Sequence, residues 1–373
     1  MINSIFSLEL LALTKIAVCV YSESDVKTWQ CVFMQENNWN LVEKRFSSLK
    51  LPSILEKKLI ALMKPINAQI EQWEWDHCPI LRSCSWRPPT EYIWKDNGTI
   101  DRIKTAKAYV QCGNNDASMR FQMACVYWME EEVKKLWEEM PEDLRRHLSS
   151  VFAHLMTFVW MDAVNDWIKF IKSGDADWRR HPCFRPLSWY CEDIIVIQGN
   201  LLQHLSYQDQ LGVFQRMMKE SIPIHTKSFC LSKMRADQFE HVIKKEPLHV
   251  YVGLYDWPYR FPLQEMTNLF LPLLSVSEFL YFLLEAVSGK MVRDWKNCDY
   301  VEQTNKLWNQ SPDIFRQHVE KSEFSNILYK ALNQYIEFFR SRCCTLRSIF
   351  FSTRKSPHIL DSYEMKRNFF LNI

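Results

Sequence analysis

The chain has 373 residues, a net charge of +2, 47% hydrophobic residues and 24% charged residues. That is enough apolar material to bury a core, and the near-neutral balance argues against a globally basic nucleic-acid binder. Only seven residues are glycine, against a usual usage of about 7%. This disfavours a βαβ nucleotide fold, a P-loop or a many-turned β-protein. No GxGxxG, GxxxxGK[ST], GxSxG, HExxH or DxDxDG motif occurs. Apolar residues recur mostly at helical spacing. The predicted fold is all-α, an irregular array of antiparallel helix pairs resembling an α-solenoid.

The first predicted helix runs from Ser7 to Tyr21, with Ser7 as N-cap. After Leu51, Pro52 suits a first helical position. Leu55, Leu59, Leu62, Ile66, Ile70 and Trp73 then form one helical stripe. Pro65 sits inside it and predicts a kink or a helix–helix junction. Further helices are predicted at Thr99–Gln111, Asp116–Trp128, Glu130–Glu139, Glu142–Phe158, Ala163–Lys172, Ser206–Lys219 and Arg235–Lys244. More follow at Leu263–Leu271, Val276–Ser288, Tyr300–Trp308, Asp313–Lys321 and Phe324–Arg340. Thr99, Asp116 and Ser311 are expected caps, and Gly113, Gly174 and Gly289 expected stops.

Ile194–Ile197 is the best strand candidate, though four residues cannot make a sheet. Leu269–Val287 is very apolar, but Pro272, Ser275, Ser277, Glu278 and Glu285 interrupt it. It reads as two buried helices split near Ser275–Ser277, so integral membrane insertion is not expected. Gly174–Asp193 carries prolines and no helical period. The expected organisation is therefore an N-terminal helical half (1–173), a boundary loop (174–193), a C-terminal helical half (194–340) and a basic tail (341–373).

Residues 135–148 match residues 306–319 at six positions: Lys135, Leu136, Trp137, Pro141, Arg145 and His147 against Lys306, Leu307, Trp308, Pro312, Arg316 and His318. Each copy reads as a helix ending in Leu-Trp, a break, then a helix opened by proline. Trp137 and Trp308 are expected to hold equivalent buried places.

Twelve cysteines are scattered with no CxxC, and the first apolar stretch, broken by Glu9 and Lys15 with no Lys or Arg before it, is not expected to be a secretion signal. They are expected to be reduced thiols in a cytoplasmic protein, and the sequons at Asn97 and Asn309 coincidental. Two clusters look metal-like: Asp76-His77-Cys78 with Cys84, and His181 with Cys183 and Cys191. Neither has a four-ligand zinc spacing, so no metal or cofactor is expected. Histidine and cysteine could pair as a thiol catalyst, yet no family signature surrounds any cysteine. His147 and His154 share a predicted helix face, and Glu130–Glu132 suits the start of a helix. No catalytic, cofactor-binding or metal residue is assigned.

The segments SLELLALTKIAVCVYSESDVKTW, GTIDRIKTAKAYV and YWMEEEVKKLWEEMP resemble a lineage-expanded family of uncharacterised α-helical proteins from spiders. The resemblance covers the first 160 residues, and more loosely those through Trp308. That family has no assigned activity, so the resemblance implies a helical fold and a family-specific role. Helical arrays commonly bind proteins, which makes a non-enzymatic scaffold with a protein partner the leading expectation. The alternatives are an enzyme of unrecognised type, or a binder of nucleic acid or anionic membrane surfaces through the tail. From Arg340 onward that tail has seven Lys/Arg against Asp361 and Glu364. It is expected to be dispensable for the fold.

Overall fold

A computed structural model describes residues 7–22, 45–81, 91–154, 159–184, 190–191, 201–218, 222, 224–255, 258, 270–287 and 300–333. Among the described residues 78% are helical and no strand forms. An isolated antiparallel bridge joins Trp94 to Ile100. The all-α expectation therefore holds. Ile194–Ile197, most of the expected Leu263–Leu271 helix, Gly289 and the tail lie outside the described residues.

The chain divides into two compact units. One comprises Met1–Pro65 with Gln215–Ile373, and the other Ile66–Phe214. The segment 174–193, expected to separate two halves, falls inside the second unit.

Helix α1 spans Leu8–Ser22. The Ser7 hydroxyl accepts from the Leu10 amide at 3.2 Å, as its N-cap role requires. Helix α2 spans Ser53–Leu81 without a break. Pro65 is buried within it, so no helix–helix junction forms there. Leu59, Leu62, Ile66, Ile70 and Trp73 are all buried, as the stripe predicts.

The second unit continues with α3 (Arg102–Gln111), α4 (Ala117–Val126), α5 (Glu130–Glu139), α6 (Glu142–His154), α7 (Val159–Ser173), the short α8 (Leu201–His204) and α9 (Tyr207–Met217), which ends just past the division. Helix α4 packs against α3, α5 and α7, while α6 packs on α7. Asp116 caps α4 as expected, accepting from the Met119 amide. Thr99 does not cap α3. Asp101 does, accepting from Lys104 N, because Thr99 is held in a turn by Asn97 and by the carbonyl contact to Lys95. Gly174 closes α7 at φ 75°, the left-handed conformation expected of a helix stop.

Helix α4 ends on an unusual residue. Trp128 N bonds to Cys125 O and Met129 N to Ala124 O, the paired bonds of a Schellman motif. The left-handed position between them, usually glycine, is Trp128 at φ 52°. Its indole is buried among Trp167, Trp178, Phe184 and Tyr190, with ring centroids 5.1–6.2 Å away. Burying that ring offsets the roughly 1–2 kcal/mol of backbone strain.

In the first unit follow α10 (Ile224–Lys233), α11 (Ala236–Lys245), α12 (Pro247–Leu254), α13 (Val276–Ala286), α14 (Tyr300–Gln310), α15 (Asp313–Glu320) and α16 (Ser325–Asn333). Helix α12 packs against α10, α11 and α13; α13 packs against α14 and α15; α14 packs against α16. The sequence reading contains neither α10 nor α12. Ser275 opens α13 in a capping box with Glu278, at the split expected within the apolar stretch. Among the described residues no helix is long and apolar enough to cross a membrane.

The two similar segments have matching local structure. Each has a helix that runs two residues past a buried tryptophan, Trp137 or Trp308. Pro141 or Pro312 then offers its carbonyl to the arginine amide four residues on. In the first copy Arg145 pairs with Glu142, and in the second Arg316 pairs with Asp313. Ser311 is not the cap of α15. Its hydroxyl donates back to Trp308 O, so it closes α14, and Pro312 occupies the N-cap position.

Candidate functional site

Two polar clusters form in the second unit. The first lies in and around the C-terminal part of α2. Asp76 pairs with Arg102 of α3 at 2.7 Å, with 4% and 8% of the side chains exposed. His77 is fully buried. Its Nδ1 lies 2.5 Å from Trp73 O and its Nε2 lies 2.7 Å from the Tyr127 hydroxyl. The Trp73 carbonyl can only accept, so Nδ1 carries the proton and Nε2 accepts from Tyr127. Burial, reinforced by the nearby Arg102 charge, lowers the imidazole to about 4. The His77 ring lies near-parallel to those of Trp73 and Tyr127, at centroid distances of 4.0 and 5.6 Å. Asp76 and His77 are thus turned to different partners. Cys78 is exposed and Cys84 lies outside the described residues. This cluster reads as a structural polar core, in which the Trp73 indole nitrogen alone has no hydrogen-bond partner among the described residues.

The second cluster is built where α7 meets the segment after it. Asp177 starts a short 3-10 turn, Trp178–Arg180. The Trp178 indole then donates to Glu130 Oε2 at 2.9 Å. Glu130 also takes Lys134 at 2.8 Å. The expected helix-start carboxylate is therefore also an anchor for a residue 48 positions later. Beyond the turn, Phe184 packs on Trp167, Phe170 and Trp178, which fixes the intervening residues 181–183.

Within that segment His181 Nδ1 lies 2.7 Å from Cys183 Sγ. The Cys183 amide also donates to Nδ1, at 3.3 Å. An amide can only donate, so Nδ1 is the unprotonated nitrogen and the proton sits on Nε2. There it faces Asp175 Oδ2 at 3.1 Å. A carboxylate, an imidazole and a thiol thus stand in line, with the imidazole lone pair turned to the sulfur. Cys183 Sγ also lies 3.3 Å from the Asp166 carbonyl, so its single proton has two acceptors in reach, that carbonyl and His181 Nδ1. The Asp166 carboxylate takes Tyr190 at 2.6 Å and Lys169 at 3.1 Å. Burial and that carboxylate raise the thiol to about 11.

The sequence places His181, Cys183 and Cys191 in one metal-like cluster, and the structure sets His181 Nδ1 2.7 Å from Cys183 Sγ. Asp175, absent from that cluster in the sequence, is the residue that faces His181 Nε2. Cys191 is buried. Among the described residues no three His, Cys, Asp or Glu side chains converge as a metal site needs. His147 is exposed on α6. The Trp128 and Trp167 indole nitrogens are buried without a hydrogen-bond partner beside this cluster.

A third feature lies in the first unit. Lys58 reaches Glu9 at 2.5 Å, joining α2 to α1. Ser47 donates to Glu56 and ties down the turn before α2. Along these joined segments Leu8, Leu49 and Ile54 stay exposed, at 84%, 41% and 67%.

No family model matches the chain, and no curated protein or solved structure is significantly similar to it.

Proposed function

We propose that the protein is a non-enzymatic helical scaffold that binds a protein partner. The observation carrying this reading is the exposure of three aliphatic side chains, Leu8, Leu49 and Ile54. They sit on segments held by Lys58–Glu9 and Ser47–Glu56. Exposed aliphatic side chains on segments tied down by polar contacts are what a binding surface presents. The resemblance to the spider helical family supports a family-specific role. The thiols of Cys19, Cys125 and Cys183 suit the reducing cytoplasm in which we place the protein.

The test is affinity capture from the source cells with wild type and a Leu8→Asp/Ile54→Asp variant of equal helix content. The scaffold reading requires a recurrent set of proteins that the variant loses. The same proteins on both baits, or none on either, sinks it.

A further inference from the structure

In the line of Asp175, His181 and Cys183, the His181 ring packs edge-on against Phe170 and Phe184, while its two nitrogens face the carboxylate and the thiol. Asp175 is largely exposed, and the surrounding packing comes from Trp178, Phe184 and Tyr190. Its parts have a chemical use together. A neutral thiol needs a base to become nucleophilic, and His181 presents its unprotonated Nδ1 to the sulfur. Asp175 on the far nitrogen fixes that tautomer and stabilises the imidazolium that forms.

We propose that Cys183, served by His181 and positioned through Asp175, is a thiol built to be oxidised by a small hydroperoxide. This goes beyond the scaffold reading and does not depend on it. The reaction is stoichiometric. The sulfur attacks one peroxide oxygen, an S–O bond forms and the O–O bond breaks. The thiol proton passes to His181 Nδ1 and on to the departing oxygen. Cys183 becomes a sulfenic acid, and the peroxide is reduced to water or the corresponding alcohol. One imidazole thus acts as base toward the thiol and as acid toward the leaving oxygen. Alkylation by a carbon electrophile needs only the first role. The site is partly enclosed, with 10% of the His181 side chain exposed, which favours a small oxidant. Burial and the Asp166 carboxylate push the thiol up, so reaction at Cys183 calls for a base, and His181 Nδ1 stands 2.7 Å from the sulfur.

Cys19 is the internal comparison, because it is the more exposed thiol, and buried Cys125 reports that the fold is intact. Reduced full-length protein is treated with hydrogen peroxide in the presence of dimedone, and labelling at each cysteine is followed by mass spectrometry. Cys183 is expected to label at least about tenfold faster than Cys19. His181→Gln is expected to slow it by about a hundredfold with Cys19 unchanged. Asp175→Ala lowers the rate, and Asp175→Asn, which keeps an acceptor, restores most of it. Labelling of Cys183 no faster than of Cys19 in the wild type overturns the proposal. So does a Cys183 rate unchanged by His181→Gln. If His181→Gln fails to fold, an unchanged rate in Asp175→Ala overturns it equally.

Discussion

The carboxylate of Asp76 and the guanidinium of Arg102 meet at 2.7 Å across 26 residues of sequence, in a setting that leaves both nearly dry. A buried pair of this kind is costly to break because the survivor keeps its charge. Arg102→Met is expected to cost about 3–5 kcal/mol. Adding Asp76→Leu to it should recover part of that loss, since no charge is then stranded. Urea unfolding of the two variants decides it; a double variant worse than the single one would count against the pair being a desolvated ion pair.

Acid should weaken the protein through His77. Its folded value is pushed from 6.5 to about 4. Between those values the unfolded chain takes a proton that the folded chain refuses. Stability is therefore full above about pH 6.5 and falls as the pH drops toward 4, by up to about 3 kcal/mol. His249, also lowered to about 4 by burial and Lys227, adds in the same direction. Denaturation at pH 7 and pH 4.5 measures the slope, and His77→Gln should flatten it. An equal slope in that variant would move the effect elsewhere.

Helices α10 and α12 approach closely at Gly253. A Cβ there would lie 3.0 Å from Leu231 Cδ1 and 3.1 Å from Lys227 Cβ. Gly253 O also accepts from the buried Ser228 hydroxyl at 2.7 Å. Gly253→Ala gains about 1 kcal/mol of helix propensity but overpacks the contact, for a net loss of about 1 kcal/mol. Gly253→Val, larger and β-branched, should lose more. Melting temperatures in the order glycine, alanine, valine are expected; alanine above glycine would show that the helices separate freely.

Trp128 gives a test in which glycine should beat alanine. Both Trp128→Gly and Trp128→Ala empty the aromatic cluster, at about 3–5 kcal/mol. Only alanine keeps the left-handed strain. Trp128→Gly is therefore expected to be more stable than Trp128→Ala by about 1–2 kcal/mol. Calorimetry reads this directly, and equal stabilities would mean that the backbone at 128 relaxes once the indole is gone.

Amphipathic helices were readable because their buried residues obey the period. In α5, Val133, Leu136 and Trp137 fall on one face below a run of glutamates. Helices α10 and α12 were not readable. Their sequences, IHTKSFCLSK and PLHVYVGL, are rich in Ser, Thr and β-branched residues, and nearly all of α12 is buried. Burial on several sides erases the stripe, and packing overrides weak propensity. The site divides in the same way. His181 and Cys183 are two residues apart and could be suspected together. Asp175 enters only after the short turn at Trp178 folds the chain back, and that turn depends on Glu130, far upstream. Likewise the His77–Tyr127 contact spans 50 residues, and no local pattern announces it.

Helix α2 runs unbroken across the point where one compact unit gives way to the other, between Pro65 and Ile66. The unit it leaves is completed only by residues from Gln215 onward. Order of synthesis then becomes order of assembly. The nascent chain exposes every residue of the inserted unit before the flanking unit has all its parts, so the inserted unit can fold first on the ribosome. Until the later helices emerge, α1 and the start of α2 lack the partners that complete their unit.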